Sequence, residues 1–348
     1  MKHPFILIFI SFLCFRSVNA QKSEGTEYIL NATEYKLAFD KKTFFDTNKL
    51  PFKDIVVYDY RYDTSKIGYV ESGGGSGYSK IQLKQNWAGA LNNYFKKNLD
   101  ASSSQTLCIV IRSFWMQEGI LDELSTKKVI QKSVGGKSDY DGNCKAQLDV
   151  YVQSGSALQA FFKLDTTFLN FYKFKQKKLE EWFFLPFDSI ARKIISSDVP
   201  SVLSKRKKLS LEEVSSFYNK RFDLPILKGQ LLQKGVFITF EDFKNNKPLL
   251  TDLRLEKGKL TDQLYVVQNG NENLLTEFWG FIDGKDLFIK AGFNVFIAVP
   301  QQNTFEVYGG KHISNYHNNP TQGDLLKINA MKVDRKILQL NMETGEFY

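Results

Sequence analysis

The sequence predicts an α+β protein, with a layered α/β domain carrying a mainly antiparallel sheet in its first half and an all-β antiparallel meander in its second. Three observations predict it. Residues 107–115 (LCIVIRSFW) and 145–153 form short β-branched and aromatic runs with strand-like alternation, the second followed by the turn Ser154-Gly155-Ser156 and the returning run ALQAFFKL. Trp87, Leu91, Tyr94 and Phe95 recur at helical spacing among polar residues. From Gly235 onward, short β runs follow one another almost without interruption.

The chain opens with Lys2 and His3, an apolar run over 4–15, and Val18-Asn19-Ala20, which places small residues at the two positions a signal peptidase reads. A signal peptide over 1–20 is expected, with the mature protein starting at Gln21 and located in the periplasm or outside the cell. The run is too short for a spanning helix, which needs about 20 apolar residues, and no later segment supplies a transmembrane stretch. Cys14 follows Leu13 rather than a small residue, so the run does not read as a lipidation site. Removing 20 residues from 348 leaves 328, enough for two cores. Loss of Lys2 and Arg16 lowers the net charge from +9 to +7, a balance that serves solubility and leaves room for peripheral membrane contact. An exported protein seldom meets nucleic acid, and none is expected as a partner.

Residues 21–52 read as an N-terminal arm with one strand. The layered domain, 53–198, begins with two strands in IVVYDYRY and KIGYV, separated by the turn signal Asp63-Thr64-Ser65. The loop SGGGSG (72–77) precedes a helix read as running through Leu83, Trp87, Leu91 and Phe95. After the strand at 107–115, a polar stretch through Gly135-Gly136 to Asn143 reads as an exposed loop, and the hairpin follows. A helix over 179–195 closes the unit, and Pro186 within it should kink it or begin a second helix. The charged run SKRKKLS opens a helical linker, 199–234, in which Ser210 and Glu213 have the spacing of a capping box. In the meander, 235–348, the strands are VFITF, LYVVQ, EFWGFI, DLFIK, NVFIAV, TFEVYG, KILQL and EFY. Such a sheet must curl into a partly closed barrel, or split into two layers, to bury its inner face.

Signals for chemistry are few. SGGGSGYSK sits between strand and helix, but a phosphate-binding P-loop ends Gly-Lys-Ser/Thr, and here Tyr78 and Ser79 intervene before Lys80. His312 and His317 lie in a loop-like stretch with neither metal-ligand spacing nor a nucleophile elbow beside them. Glu241 with Asp242, and Asp283 with Asp286, are close enough in sequence to belong to a helix start or a turn. No catalytic residue, metal ligand or cofactor is assigned. Cys108 and Cys144 open their strands, so hairpin-like pairing separates the sulfurs and leaves two thiols, whereas parallel neighbours would bring them together as a disulfide. Aromatic residues concentrate in the last third, where alternation assigns most of them to a core. The rest, with Trp279, Phe281, Phe305 and Tyr308 foremost, form the candidate binding surface, since Gly280 leaves one face of Trp279 accessible.

The segments GVFITFEDFKNNKP, WGFIDGKDLFIK and NTFEVYG and the ending LNMETGEFY together resemble a group of exported Bacteroidota proteins of unknown function, in which related motifs recur in the same order. The resemblance covers about 235–348 and implies no catalytic residues. In its order of elements the first half is similar to the sheet-and-helix domain of envelope adaptor lipoproteins and to the amino-terminal module of the Tol periplasmic protein, although it lacks their lipidation cysteine. The expectation is a non-catalytic cell-envelope protein that binds an envelope protein or a glycan. An envelope hydrolase using carboxylates, and a surface polymer-binding or adhesion module, are the alternatives.

Overall fold

The computed structural model describes residues 32–39, 43–44, 46–71, 78–118, 142–170, 179–228, 233–257, 262–291, 294–312 and 337–347. The expected signal peptide, the SGGGSG loop, the Gly135-Gly136 excursion and His317 lie outside the described residues.

The longest strands organise the first sheet. β1 (Thr33–Leu37), β2 (Asp54–Asp59), β3 (Gly68–Glu71), β4 (Tyr78–Leu83), β5 (Gln105–Glu118), β6 (Gly142–Ser154), β7 (Ala157–Asn170) and β8 (Lys208–Leu209) form one eight-stranded sheet. β5, β6, β7 and β8 pair antiparallel in sequence. The other edge of β5 is shared by two parallel neighbours, β2 along Thr106 to Ile111 and β3 at Met116 and Gln117. β4 runs antiparallel to β3 and parallel to β1, so the expected arm does supply one strand.

Helices cover both faces. α1 (Trp87–Phe95), α2 (Leu179–Ile195) and α3 (Val199–Ser204) lie over Leu107, Ile109, Ile111, Leu148, Val150 and Val152. Aromatic stacking fixes that layer, with Phe183 against Phe39 at 4.3 Å and Phe184 against Tyr94 at 3.7 Å between ring centres. The opposite face is covered by α4 (Leu211–Asn219), whose Val214 and Tyr218 pack on Cys108, Val110 and Tyr151. The predicted capping box is present, with Ser210 and Glu213 each bonded to the other's backbone.

Three local expectations are corrected. Leu83 belongs to strand β4, not to a helix. Buried Ser79 and Ile81 alternate with more exposed neighbours there, and α1 starts only after Asn86, which caps Gly89 N at 2.7 Å. The i, i+4 spacing of Leu83, Trp87 and Leu91 spans a strand–helix boundary by coincidence. Of the two outcomes expected at Pro186, a second helix does not occur: Pro186 lies inside α2, where Phe183, Phe184, Pro186 and Phe187 are all buried. The VFITF run is a strand only as β9 (Gly235–Phe237), because Thr239 and Asp242 form a second capping box and begin α6 (Phe240–Lys244).

The second half holds two antiparallel sheets. β10 (Leu253–Lys257), β11 (Asp262–Gln268) and β12 (Asn271–Leu274) make the smaller. The larger curls into a half barrel in the order β17 (Ile337–Gln339), β16 (Thr304–His312), β15 (Asn294–Gln301), β14 (Leu287–Ala291), β13 (Gly280–Ile282), β9. One face of the larger sheet buries Val236, Phe281 and Val295 against Leu253, Leu264 and Val266 of the smaller. The other buries Phe237, Ile289, Phe296, Phe305 and Val307 with Phe243 of α6, and with Ile226 of the short helix α5 (Pro225–Lys228). Tyr62, from the first half, joins this second core.

Candidate functional site

Ionisable side chains in a protein interior need partners, because an isolated buried charge loses its hydration without compensation. Two such groups sit where the first sheet meets the half barrel. The first begins at the turn before β3. Asp63 Oδ1 accepts hydrogen bonds from Ser65 N (2.8 Å) and Ser65 Oγ (2.6 Å), while Oδ2 pairs with the Lys66 ammonium. Lys66 Nζ also lies 3.0 Å from Oε1 of Glu306 on β16, and Tyr69 OH donates to Glu306 Oε2 at 2.9 Å. Side-chain exposure is 1% for Lys66 and 0% for both carboxylates, so the site is closed to bulk solvent. Trp115, Val299 and Ile337 supply apolar packing around Tyr69 at this junction. Burial raises the Glu306 carboxyl above its usual range although Lys66 and Tyr69 act to lower it. Burial, and then Glu306, raise the Tyr69 hydroxyl. Backbone and side chain extend the contact: Thr64 N and Oγ1 donate to Gln302 Oε1 (2.8 and 3.2 Å), and Asn303 N donates to Tyr62 O at 3.1 Å.

The second group is built around a β-bulge. Before it, Leu107, Ile109 and Ile111 face the helical core, and after it Phe114 and Met116 do, so Arg112 is the extra residue that resets the alternation. Its guanidinium bonds Asp149 Oδ1 (Nε, 3.1 Å) and lies 3.5 Å from Glu343 Oε2. Tyr218 OH donates to Asp149 Oδ2 at 2.5 Å and lies 2.9 Å from Tyr151 OH. Burial, and then the Asp149 hydrogen bond, raise the Tyr218 hydroxyl, so it stays protonated as a donor. Arg221, just after α4, bonds Glu343 Oε1 (2.5 Å), Tyr60 O (2.9 Å) and Arg112 O (3.2 Å), and stacks 4.8 Å above Tyr62. Burial, opposed by Arg221, takes the Tyr62 hydroxyl up to about 12. Glu343 belongs to the METGEFY ending, whose turn is held by Asn341 Oδ1 accepting from Glu343 N at 2.8 Å.

The residues singled out from the sequence do not form one surface. Phe281 is buried against Phe278 and Phe288 on one face of the half barrel, and Phe305 is buried on the other. Trp279 is half-buried, 5.2 Å from Phe240 and 4.5 Å from Phe243, and Phe243 in turn touches Phe305. Gly280 permits close strand approach, since a Cβ there would lie 2.7 Å from Phe288 O. Tyr308 pairs through its backbone with Ile297 and Ile337, and its side chain lies outside the described residues, as does that of His312. Asp242 caps α6, Glu241 pairs with Lys244 at 2.6 Å, and Asp283 accepts from the backbone of Lys285 and Asp286 in a turn. Cys108 and Cys144 are free thiols on opposite faces of the first sheet, at opposite ends of the β5–β6 ladder as antiparallel pairing requires. Burial raises both thiols, Cys108 to about 12 with a further contribution from Asp54. No group of three metal-ligating side chains occurs among the described residues.

A surface feature that sequence reasoning missed lies on α4. Phe217 is 60% exposed and Leu211 43%, while the adjacent Tyr218 is anchored in the second buried group. A different stripe of the same helix borders an open cleft of about 580 Å³ lined by Glu212, Ser215, Asn219, Lys220, Phe222 and Lys228, among others. The helical period contained the signal, since Val214 and Tyr218 claim the buried stripe and leave Phe217 outside it.

No family model matches this sequence, and no curated protein matches it. Among solved structures, a DUF330-family protein from Xanthomonas campestris is similar over 47% of this chain and 92% of its own, at 11% identity and a TM-score of 0.28. A likeness of that size transfers neither fold nor function.

Proposed function

We propose that the protein is an exported, non-catalytic interaction module of the cell envelope, and that it binds a partner protein through the exposed side of α4 with Phe217 as the anchor. The observation that carries this reading is the pairing of neighbours on α4. Phe217 projects into solvent, while Tyr218 is tied to Asp149 and Tyr151 and fixes the helix on the sheet. An aromatic side chain held on a rigid element loses little conformational freedom when a partner covers it. The cleft on the other stripe of α4 carries Lys220 and Lys228 of one sign and Glu212 and Asp223 of the other, a mixed polar surface of the kind found at protein interfaces. The envelope location rests on the export signal read over 1–20 and on the resemblance to exported Bacteroidota proteins. The hydrolase alternative would need solvent at a carboxylate of raised pKa, and Glu306 has no exposed side chain.

The test is affinity capture from envelope extract with the mature protein and with Phe217→Ser. A partner protein retained by the first and lost by the second supports the reading. Retention of a saccharide alone, or of an identical set by both proteins, refutes it. Sequencing the N-terminus of envelope-fractionated protein should give Gln21 as the first residue.

A further inference from the structure

The Asp63–Lys66–Glu306 group contains one cation and two carboxylates, none of them with more than 1% of its side chain exposed. Fully ionised, it would carry an unbalanced negative charge in a site closed to bulk solvent, which is a costly arrangement. The nearby Arg61 does not correct the balance, because its guanidinium is committed to Asp59 and to the backbone carbonyl of Lys66. Glu306 Oε1 accepts no hydrogen bond among the described residues and meets the ammonium only as a charge contact at 3.0 Å.

We infer that Lys66 Nζ and Glu306 Cδ are joined by an intramolecular amide, a covalent cross-link between the β3 turn of the first sheet and β16 of the half barrel. Each participant has a role set by geometry. The Asp63 carboxylate, in contact with the ammonium through Oδ2 and held in place by Ser65, takes a proton from it. The freed amine attacks Cδ of Glu306 in its acid form, which burial favours. Tyr69, donating to Oε2, stabilises the negative charge that develops there. The Oε1 hydroxyl leaves as water with a second proton from Nζ, and Oε2 becomes the amide oxygen. Of the three ammonium protons, one stays on the amide nitrogen, one leaves in the water and one remains on Asp63. The products are therefore an amide, a neutral Asp63 acid and one water, with no oxidant or activating group required. Condensation of an amine with an acid is unfavourable in bulk water. Here the two groups are held in contact, where effective molarities reach about 10⁵–10⁸ M, and solvent is excluded from the product. The reaction also removes every buried charge from the group.

The experiment is a denaturing tryptic digest of the mature wild-type protein analysed by tandem mass spectrometry. The expected result is no cleavage after Lys66 and a branched peptide that joins the Lys66 and Glu306 segments, lighter than the two together by one water. Asp63→Ala and Glu306→Ala should both release the two segments, the first while keeping both reacting groups. Separate, unmodified Lys66 and Glu306 peptides from folded wild-type protein would overturn the inference. So would a water loss confined to a linear peptide linking Lys66 to Asp63.

Discussion

The two buried charged groups at the junction solve the same problem in different ways. Around Arg112 and Arg221, two guanidinium groups meet Asp149 and Glu343, so charge is matched, and donors left over from the carboxylates reach the backbone carbonyls of Tyr60 and Arg112. That group opens toward solvent at Glu343, whose side chain is 29% exposed. Around Lys66 a single cation serves two carboxylates, and the site is closed. A matched, partly open group can remain ionic. A mismatched, closed one must hold an extra proton or lose its charge in a bond.

That contrast can be broken by mutation. Lys66→Met leaves two carboxylates buried without a cation and should destabilise the fold by about 3–5 kcal/mol. Adding Asp63→Asn and Glu306→Gln removes those two charges and should recover only the part of the loss they cause, leaving the part due to the missing cross-link, and chemical denaturation of the single and triple variants measures both. Arg221→Met removes a partly exposed pair and two carbonyl contacts while Arg112 still faces Glu343. The expected loss is about 2 kcal/mol, and equality with Lys66→Met would erase the distinction drawn between the groups. Ser210→Ala weakens only the cap of the helix that delivers Tyr218 to Asp149, for about 1 kcal/mol.

The thiols add an effect that appears only at high pH. Folding raises Cys108 from 9.0 to about 12, so the stability it contributes is present below pH 9.0 and is lost as pH rises toward 12. Below pH 9.0 both cysteines should resist iodoacetamide in the native protein and react fully after denaturation. Native labelling of Cys108 with Cys144 protected would show that the α4 face of the sheet opens more readily than the helical core.

Much of the fold was legible because period and turn chemistry act locally. The Leu107 to Ile111 alternation, the Ser154-Gly155-Ser156 turn and the Ser210–Glu213 box each specify their own element. Boundaries were less legible where two periods overlap, as at Leu83. The junction was invisible for a different reason. In TFEVYG, Glu306 falls where alternation allows a polar outer face, and only the approach of the first sheet turns that face into an interior. Arg112 likewise reads as one more strand residue until the bulge re-aims it. The motifs of the last third prove to be structural in large part: Gly280 admits Phe288 O, Asp283 holds a turn, and Glu343 reaches Arg112 and Arg221. The aromatics Phe281 and Phe305 could be recognised as β residues, but which face each would bury depended on what packed against the sheet.

The central claim is that these buried contacts make the first sheet and the half barrel unfold together. Differential scanning calorimetry of residues 21–348 tests it most directly. One transition with equal van 't Hoff and calorimetric enthalpies is predicted, moving as a whole to lower temperature in Arg221→Met. Two separate transitions in the wild type, one of them unmoved by that substitution, would contradict it.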